Sequence, residues 1–65
     1  MTQEIKLLNG VVKSYSVNEN DSYIFYVGSG VASDMNELCE TLKADGRNAV
    51  SYLDGYCGWV VRVKK

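Results

Sequence analysis

The sequence predicts a small α+β domain, in which an antiparallel-rich sheet in the order βββαββ carries one helix on one face. The chain has 65 residues, at the low end of domain sizes, and 46% of them are hydrophobic, as in globular proteins. The dipeptides Asn9-Gly10 and Asp54-Gly55 are flanked by apolar or β-branched residues and predict tight hairpin turns. We therefore expect residues 1–65 to form a single domain.

The strands are predicted at residues 3–8, 11–17, 22–27, 47–53 and 56–63. A polar cluster at residues 18–21 predicts the turn between the second and third strands. Residues 2–8 are open to a second interpretation, because Thr2 could cap a short helix that stops at Asn9-Gly10.

The helix is predicted from one apolar stripe with the spacing i, i+3, i+4 and i+7, formed by Met35, Leu38, Cys39 and Leu42. Asp34 or Ser33 can cap its start, and Asp34 with Glu37 resembles a capping box. Gly46 is expected to end the helix in a left-handed conformation.

Two-residue turns would fix the register of the hairpins and so the two faces of the sheet. The turn at Asp54-Gly55 would pair Leu53 with Tyr56. We place the more apolar face of each unit against the helix, which leaves the reverse face bare. The residues expected to bind a partner on that bare face are Tyr15, Ile24, Tyr26, Tyr56 and Val60.

An uncovered aromatic face is expected to be either a partner surface or the seam of a homodimer, and we expect a homodimer because so small a domain is marginal alone. The plainer interpretation is that scattered exposed tyrosines and valines are ordinary surface residues.

Catalytic chemistry is limited by the absence of histidine, which removes the usual general base and metal ligand. Two cysteines separated by 17 residues cannot complete a zinc site alone. We expect no enzyme activity, no metal and no cofactor. Cys39 and Cys57 are both expected in the core as reduced thiols, and in an oxidising compartment they could instead form a disulfide.

The charges are balanced and mixed, with seven basic and eight acidic side chains and a net charge of −1. We therefore expect no binding of duplex nucleic acid, and with no run of about 18 apolar residues we expect no membrane span. Single-stranded nucleic acid could still stack on Tyr15, Tyr26 and Tyr56. The chain shows no signal peptide, and a cytoplasmic location is expected.

A glycine-containing segment between the third strand and the helix has the pattern G-x-G-x-x-S. Free N–H groups at the start of the helix could hold a phosphorylated small ligand there. Arg47 and Arg62 are predicted to be cross-strand neighbours that add positive charge. The residues of this alternative site are Gly28, Ser29, Gly30, Ser33, Arg47 and Arg62. The plainer interpretation is a flexible connection.

The chain from Tyr23 onwards resembles the SPOR domain, which binds peptidoglycan glycan strands stripped of their peptides. The resemblance spans about 40 of the 65 residues and is carried by Tyr23–Ser29, Leu42–Gly46, Asn48–Val50 and Gly58–Val63. The resemblance implies glycan binding as an alternative function. It also implies that the fifth strand lies between the third and fourth, in a split βαβ unit.

The leading hypothesis is a non-enzymatic interaction protein that binds and blocks a host protein through a tyrosine-rich sheet face or a sheet edge. Short single-domain inhibitors of this kind are encoded by phages and mobile elements, and the analogy is one of size and fold class.

Overall fold

The computed structural model describes all 65 residues and has the predicted order of elements. The elements are β1 (Thr2–Lys6), β2 (Val12–Glu19), β3 (Tyr23–Val27), α1 (Ala32–Ala44), β4 (Ala49–Asp54) and β5 (Gly58–Lys64). The α+β class is confirmed. Residues 2–6 form a strand, so the interpretation of residues 2–8 as a short helix is wrong.

The five strands form one sheet in the order β1-β2-β3-β5-β4, and every neighbouring pair is antiparallel. Because β5 is antiparallel to both β3 and β4, these two strands run parallel on either side of it. Helix α1 connects them in a crossover, which is the split βαβ arrangement. The predicted position of the fifth strand between the third and fourth is confirmed.

Both predicted two-residue hairpin turns are wrong, because each loop has three residues. In the first hairpin the Leu7 N–H donates to the Val11 carbonyl at 2.8 Å, and Lys6 pairs with Val12. Gly10 supplies the positive φ of +87° that this longer loop needs.

The loop between β4 and β5 differs in a second way. Leu53 pairs with Trp59 instead of Tyr56, and the positive φ falls on Gly58 instead of Gly55. The Asp54 carboxylate turns the chain by accepting hydrogen bonds from the N–H groups of Tyr56 and Cys57 at 2.8 and 3.2 Å. The partner of Leu53 is thus shifted by three residues along β5. Because side chains alternate between the two faces of a strand, a shift by an odd number places the opposite set of β5 side chains on the same face as a given set from β4.

The core lies between α1 and the sheet, and its composition corrects the predicted faces. Tyr15 and Tyr26 are 3% and 1% exposed within it, and Ile24 packs against it. These three residues were expected on the bare face. The buried cluster comprises Leu7, Tyr15, Val17, Tyr26, Met35, Leu38, Cys39, Leu42, Ala49, Val61 and Val63. The connection from β3 through α1 to β4 joins parallel strands, and such crossovers are almost always right-handed. The handedness therefore determines on which face of the sheet α1 lies, whichever face has more apolar residues.

The predicted start of α1 is wrong and its predicted end is confirmed. The helix begins after Val31, with no side chain capping its first N–H groups, so neither Ser33 nor Asp34 is the cap. Gly46, with a φ of +84°, donates its N–H to the Lys43 carbonyl and ends the helix as predicted. With 13 residues and a polar outer side, this helix does not meet the length and hydrophobicity needed to cross a membrane.

The two cysteines lie in different environments. Cys39 is buried on the apolar stripe of α1, as expected. Cys57 is exposed in the β4–β5 loop, so the expectation that it lies in the core is wrong, and both thiols are free. The longer loop explains the difference, since it moves Cys57 out of the strand.

Candidate interaction surface

The sheet side opposite α1 is uncovered and carries a continuous set of aromatic and aliphatic side chains. We call this set the aromatic face. It consists of Tyr23, Phe25 and Val27 from β3, Val60 and Arg62 from β5, and Val50 and Tyr52 from β4. Alternation along each strand places these side chains opposite the core residues of the same strands. Most of them are half-buried by one another, and Val60 is only 3% exposed.

Arg62 lies at the centre of the aromatic face, between two tyrosine rings. Its guanidinium carbon lies 4.6 Å from the ring centroid of Tyr23 and 5.5 Å from that of Tyr52. Both distances are within the range of cation–π attraction. None of the four ion pairs in the chain includes Arg62, so its charge is balanced by no carboxylate of this chain. The stacking fixes the plane of the guanidinium and leaves its N–H donors free for an acceptor from outside.

A depression of about 290 Å³ opens on the same side of the sheet, at the end of the aromatic face nearer the β4–β5 loop. Val27 and Val60, which pair across β3 and β5, lie between Phe25 and Tyr52 in it. Its remaining lining residues are Asn18, Asp54 and Cys57. Phe25 also contacts Tyr23, with ring centroids 6.1 Å apart. The small valines between larger rings make a concave spot with Asn18 and Asp54 at its polar border, of the kind that receives a side chain from a partner.

The remaining part of the uncovered side is polar. β2 contributes Ser14, Ser16 and Asn18 there, and β1 contributes Glu4 and Lys6, all of them exposed. Apart from the exposed Val12 at the start of β2, the apolar character is therefore confined to the three strands β3, β5 and β4. This arrangement resembles an interface core beside a polar rim.

The residues first expected to bind a partner are dispersed by the structure. Tyr15, Ile24 and Tyr26 lie beneath α1, as described above, whereas Val60 does lie on the aromatic face. Tyr56 is fully exposed at the tip of the β4–β5 loop, outside the sheet. The structure therefore replaces most of the predicted set.

The two buried tyrosines differ in their hydroxyl groups. Burial raises the pKa of Tyr15 above its usual value, and its hydroxyl has no hydrogen-bond partner. The hydroxyl of Tyr26 accepts a hydrogen bond from Nη1 of Arg47 at 3.2 Å. Neither group is available to a partner at the uncovered side of the sheet.

The glycines of the predicted phosphate-binding segment serve close packing. Gly30 has a φ of +78°, and a Cβ there would lie 2.6 Å from the carbonyl oxygen of Cys57. A Cβ on Gly28 would lie 2.8 Å from the ring of Tyr15. The Gly30 carbonyl also accepts a hydrogen bond from the Trp59 N–H at 3.0 Å. The segment is thus tied to the second hairpin, in contrast to a flexible connection.

An acidic side chain already occupies the start of α1. Asp34 accepts a hydrogen bond from the Ser29 hydroxyl at 2.9 Å and forms an ion pair with Lys13 at 3.1 Å. The hydrogen bond from Ser29, and then Lys13, hold the pKa of Asp34 below its usual value. A carboxylate at this position satisfies the positive end of the helix dipole and would repel a phosphate.

The two arginines assigned to the phosphate site are not neighbours, so that prediction is wrong. Arg62 pairs with Phe25 and Val50 on the aromatic face, whereas Arg47 follows the C-terminal end of α1. The helix has 13 residues and is about 20 Å long, so Arg47 lies far from Ser33. The predicted ligand set is not brought together.

The residues of the aromatic face that the sequence did not point to are Tyr23, Phe25, Val27, Val50 and Tyr52. The alternation in β3 does place the first three on one face, and that grouping is confirmed. The missing information was which of the two faces α1 covers.

No family model, curated protein or solved structure that was compared matches this chain.

Proposed function

We propose that this chain is a non-enzymatic interaction protein that binds another protein through the aromatic face. The observation that carries the proposal is the stacked Arg62, which stands among half-buried aromatic rings and forms no ion pair within the chain. Tyrosine and arginine are the residue types most often found at the energetic centre of protein interfaces. Rings that already pack against each other lose little conformational freedom on binding.

The proposed partner presents a carboxylate to Arg62 and an apolar side chain to the depression around Val27 and Val60. A guanidinium pairs with a carboxylate through two parallel hydrogen bonds, which fixes the direction of approach. An interface of standard size covers about 800 Å² on each partner. That area is about one fifth of the 4102 Å² of accessible surface on this chain, so such a partner would also cover the polar rim on β1 and β2.

In its finer form, the proposal is that the chain blocks a host protein, as small inhibitors from phages and mobile elements do. Its support is the size of the chain and the absence of histidine from its sequence. The free thiols of Cys39 and Cys57 suit a reducing compartment, so the proposed place of action is the cytoplasm.

The test is affinity capture from host lysate with the tagged chain, followed by a binding assay with the purified captured protein. Tyr52→Ala should weaken binding at least tenfold, since truncating an interface anchor costs about 2 kcal/mol. Arg62→Glu should weaken it further and reduce its sensitivity to salt. Glu40→Ala is the matched control, because Glu40 lies on the opposite, outer side of α1 and is exposed.

The proposal fails if the captured protein binds the Tyr52 and Arg62 variants as tightly as the parent chain, with all variants folded by circular dichroism. A parallel pull-down with denuded glycan strands tests the alternative implied by the SPOR resemblance. Glycan retention that depends on Tyr52, without protein capture, would replace the protein partner with a glycan.

A further inference from the structure

Strand β4 forms an open edge of the sheet. It pairs only with β5, and the Lys64 N–H donates to the Asn48 carbonyl at 3.1 Å just before the strand. Because hydrogen-bonded pairs alternate along an antiparallel ladder, Val50 and Tyr52 direct their backbone groups to β5. The N–H and C=O groups of Ser51 and Leu53 therefore point outward, where no strand of this chain lies. Ala49 has the same parity but is only 2% exposed, so the open part of this edge begins at Val50.

This edge lacks the features by which proteins usually prevent strands from pairing. It contains no proline and no lysine, and its register with β5 continues without a bulge from Ala49 to Asp54. Val50 and Leu53 are 45% and 65% exposed. The opposite edge, β1, carries the exposed charges Glu4 and Lys6 in a strand of five residues.

We propose that a second copy of this chain pairs with β4, antiparallel and centred on Ser51. The outward groups of Ser51 fit this register, in which Ser51 faces its own copy and Val50 faces Tyr52 of the second copy. The paired residues are 50–52 of each strand, since Asp54 falls opposite Asn48, outside β4, and Ala49 is covered.

The charge pattern selects the β4 edge over β1 for this self-pairing. The one charged residue of β4, Asp54, falls opposite Asn48 of the second copy, so like charges do not face each other. The same operation on β1 would set Glu4 directly opposite Glu4, which is unfavourable. Self-pairing of β4 joins two five-stranded sheets into one and closes the edge, as a two-fold dimer does.

The two aromatic faces lie side by side in this dimer. Val50 and Tyr52 of each copy meet at the seam, on the side away from both helices. The dimer is formed through the strand edge and does not depend on the proposed function, yet it would present two partner surfaces on one continuous sheet.

The first test is the dimer dissociation constant, measured by sedimentation velocity over a concentration series. Ser51→Pro removes the outward N–H at the two-fold axis and leaves the ladder to β5 intact. Two intermolecular hydrogen bonds are lost, which should raise the dissociation constant about 30-fold. Ser51→Ala is the control, because it keeps the N–H and loses only the hydroxyl bond to Asn36 at 2.9 Å.

The second test reports the register and does not depend on a proline variant folding. Hydrogen-bonded partners in antiparallel strands lie about 5.5 Å apart at Cα, within disulfide range. Ser51→Cys, in a Cys57→Ser background, should form a covalent dimer under mild oxidation, whereas Ser14→Cys in the same background should not. A chain that stays monomeric up to about 1 mM, assembles beyond a dimer, or cross-links equally through residue 14 would overturn the proposal.

Discussion

The same substitution at two buried tyrosines is expected to change stability in opposite directions. Tyr15 and Tyr26 are 3% and 1% exposed, and both rings belong to the core under α1. The hydroxyl of Tyr15 has no hydrogen-bond partner, whereas that of Tyr26 accepts from Arg47 at 3.2 Å. Replacing each residue with phenylalanine removes one oxygen and leaves the packing of the ring in place.

The magnitudes follow from the cost of an unpaired buried group. A buried hydroxyl without a partner costs about 1–3 kcal/mol, so Tyr15→Phe should raise the free energy of unfolding by about 1 kcal/mol. Tyr26→Phe removes a hydrogen bond from a charged donor and should lower it by about 1.5 kcal/mol. In a domain of this size, 1 kcal/mol shifts Tm by about 4–8 °C.

The assay is urea and thermal unfolding followed by circular dichroism, at one protein concentration and at pH 7. Equal protein concentration matters, because a dimer would make Tm depend on it. If Tyr15→Phe lowers Tm as much as Tyr26→Phe does, the hydroxyl of Tyr15 has a partner and the reasoning is refuted.

Two further predictions concern the connection between β3 and α1. Gly30→Ala should lower the free energy of unfolding by at least 1 kcal/mol more than Gly10→Ala, since both glycines have a positive φ but only Gly30 faces a close backbone atom. Equal losses in urea unfolding would refute this. Asp34→Asn should destabilise the chain at neutral pH and less so in acid, because a lowered carboxylate pKa adds stability that is lost as the pH falls below the usual value of 3.8. Unfolding curves at pH 7 and in acid measure the difference, and a pH-independent difference would contradict the role given to Lys13 and Ser29.

Local sequence patterns were sufficient for the elements of this fold. The apolar stripe from Met35 to Leu42 predicted the helix, and Gly46 predicted its end, because both signals act within one or two turns of the chain. A turn between β2 and β3 was also predicted, but at residues 18–21, whereas β2 continues to Glu19 and the turn lies at residues 20–22. The predicted alternation that groups Tyr23, Phe25 and Val27 is confirmed.

Hairpin register was less accessible, although the signals were present. Asn9-Gly10 does form a turn, but with three loop residues, and in the second hairpin Asp54 and Gly58 together replace the expected Asp54-Gly55 turn. A two-residue and a three-residue loop differ by little in local energy, yet they place opposite faces of the strands together.

The existence of an uncovered, tyrosine-containing side of the sheet could be predicted, but the residues that form it could not. An uncovered sheet side rich in tyrosine follows from five strands and one short helix, since a single helix cannot cover both sides. The identity of that side depends on the crossover, which buries Tyr15 and Tyr26 and leaves Tyr52 and Arg62 outside.

The amino-acid order alone predicted the order of the elements and, through a resemblance, the split βαβ arrangement, and both are confirmed. Tertiary structure decided which ring of each strand is buried, because that choice depends on loop length and crossover hand, which act between segments distant in the chain. The stacking of Arg62 between Tyr23 and Tyr52 joins β3, β4 and β5, and it exists only once the sheet has assembled.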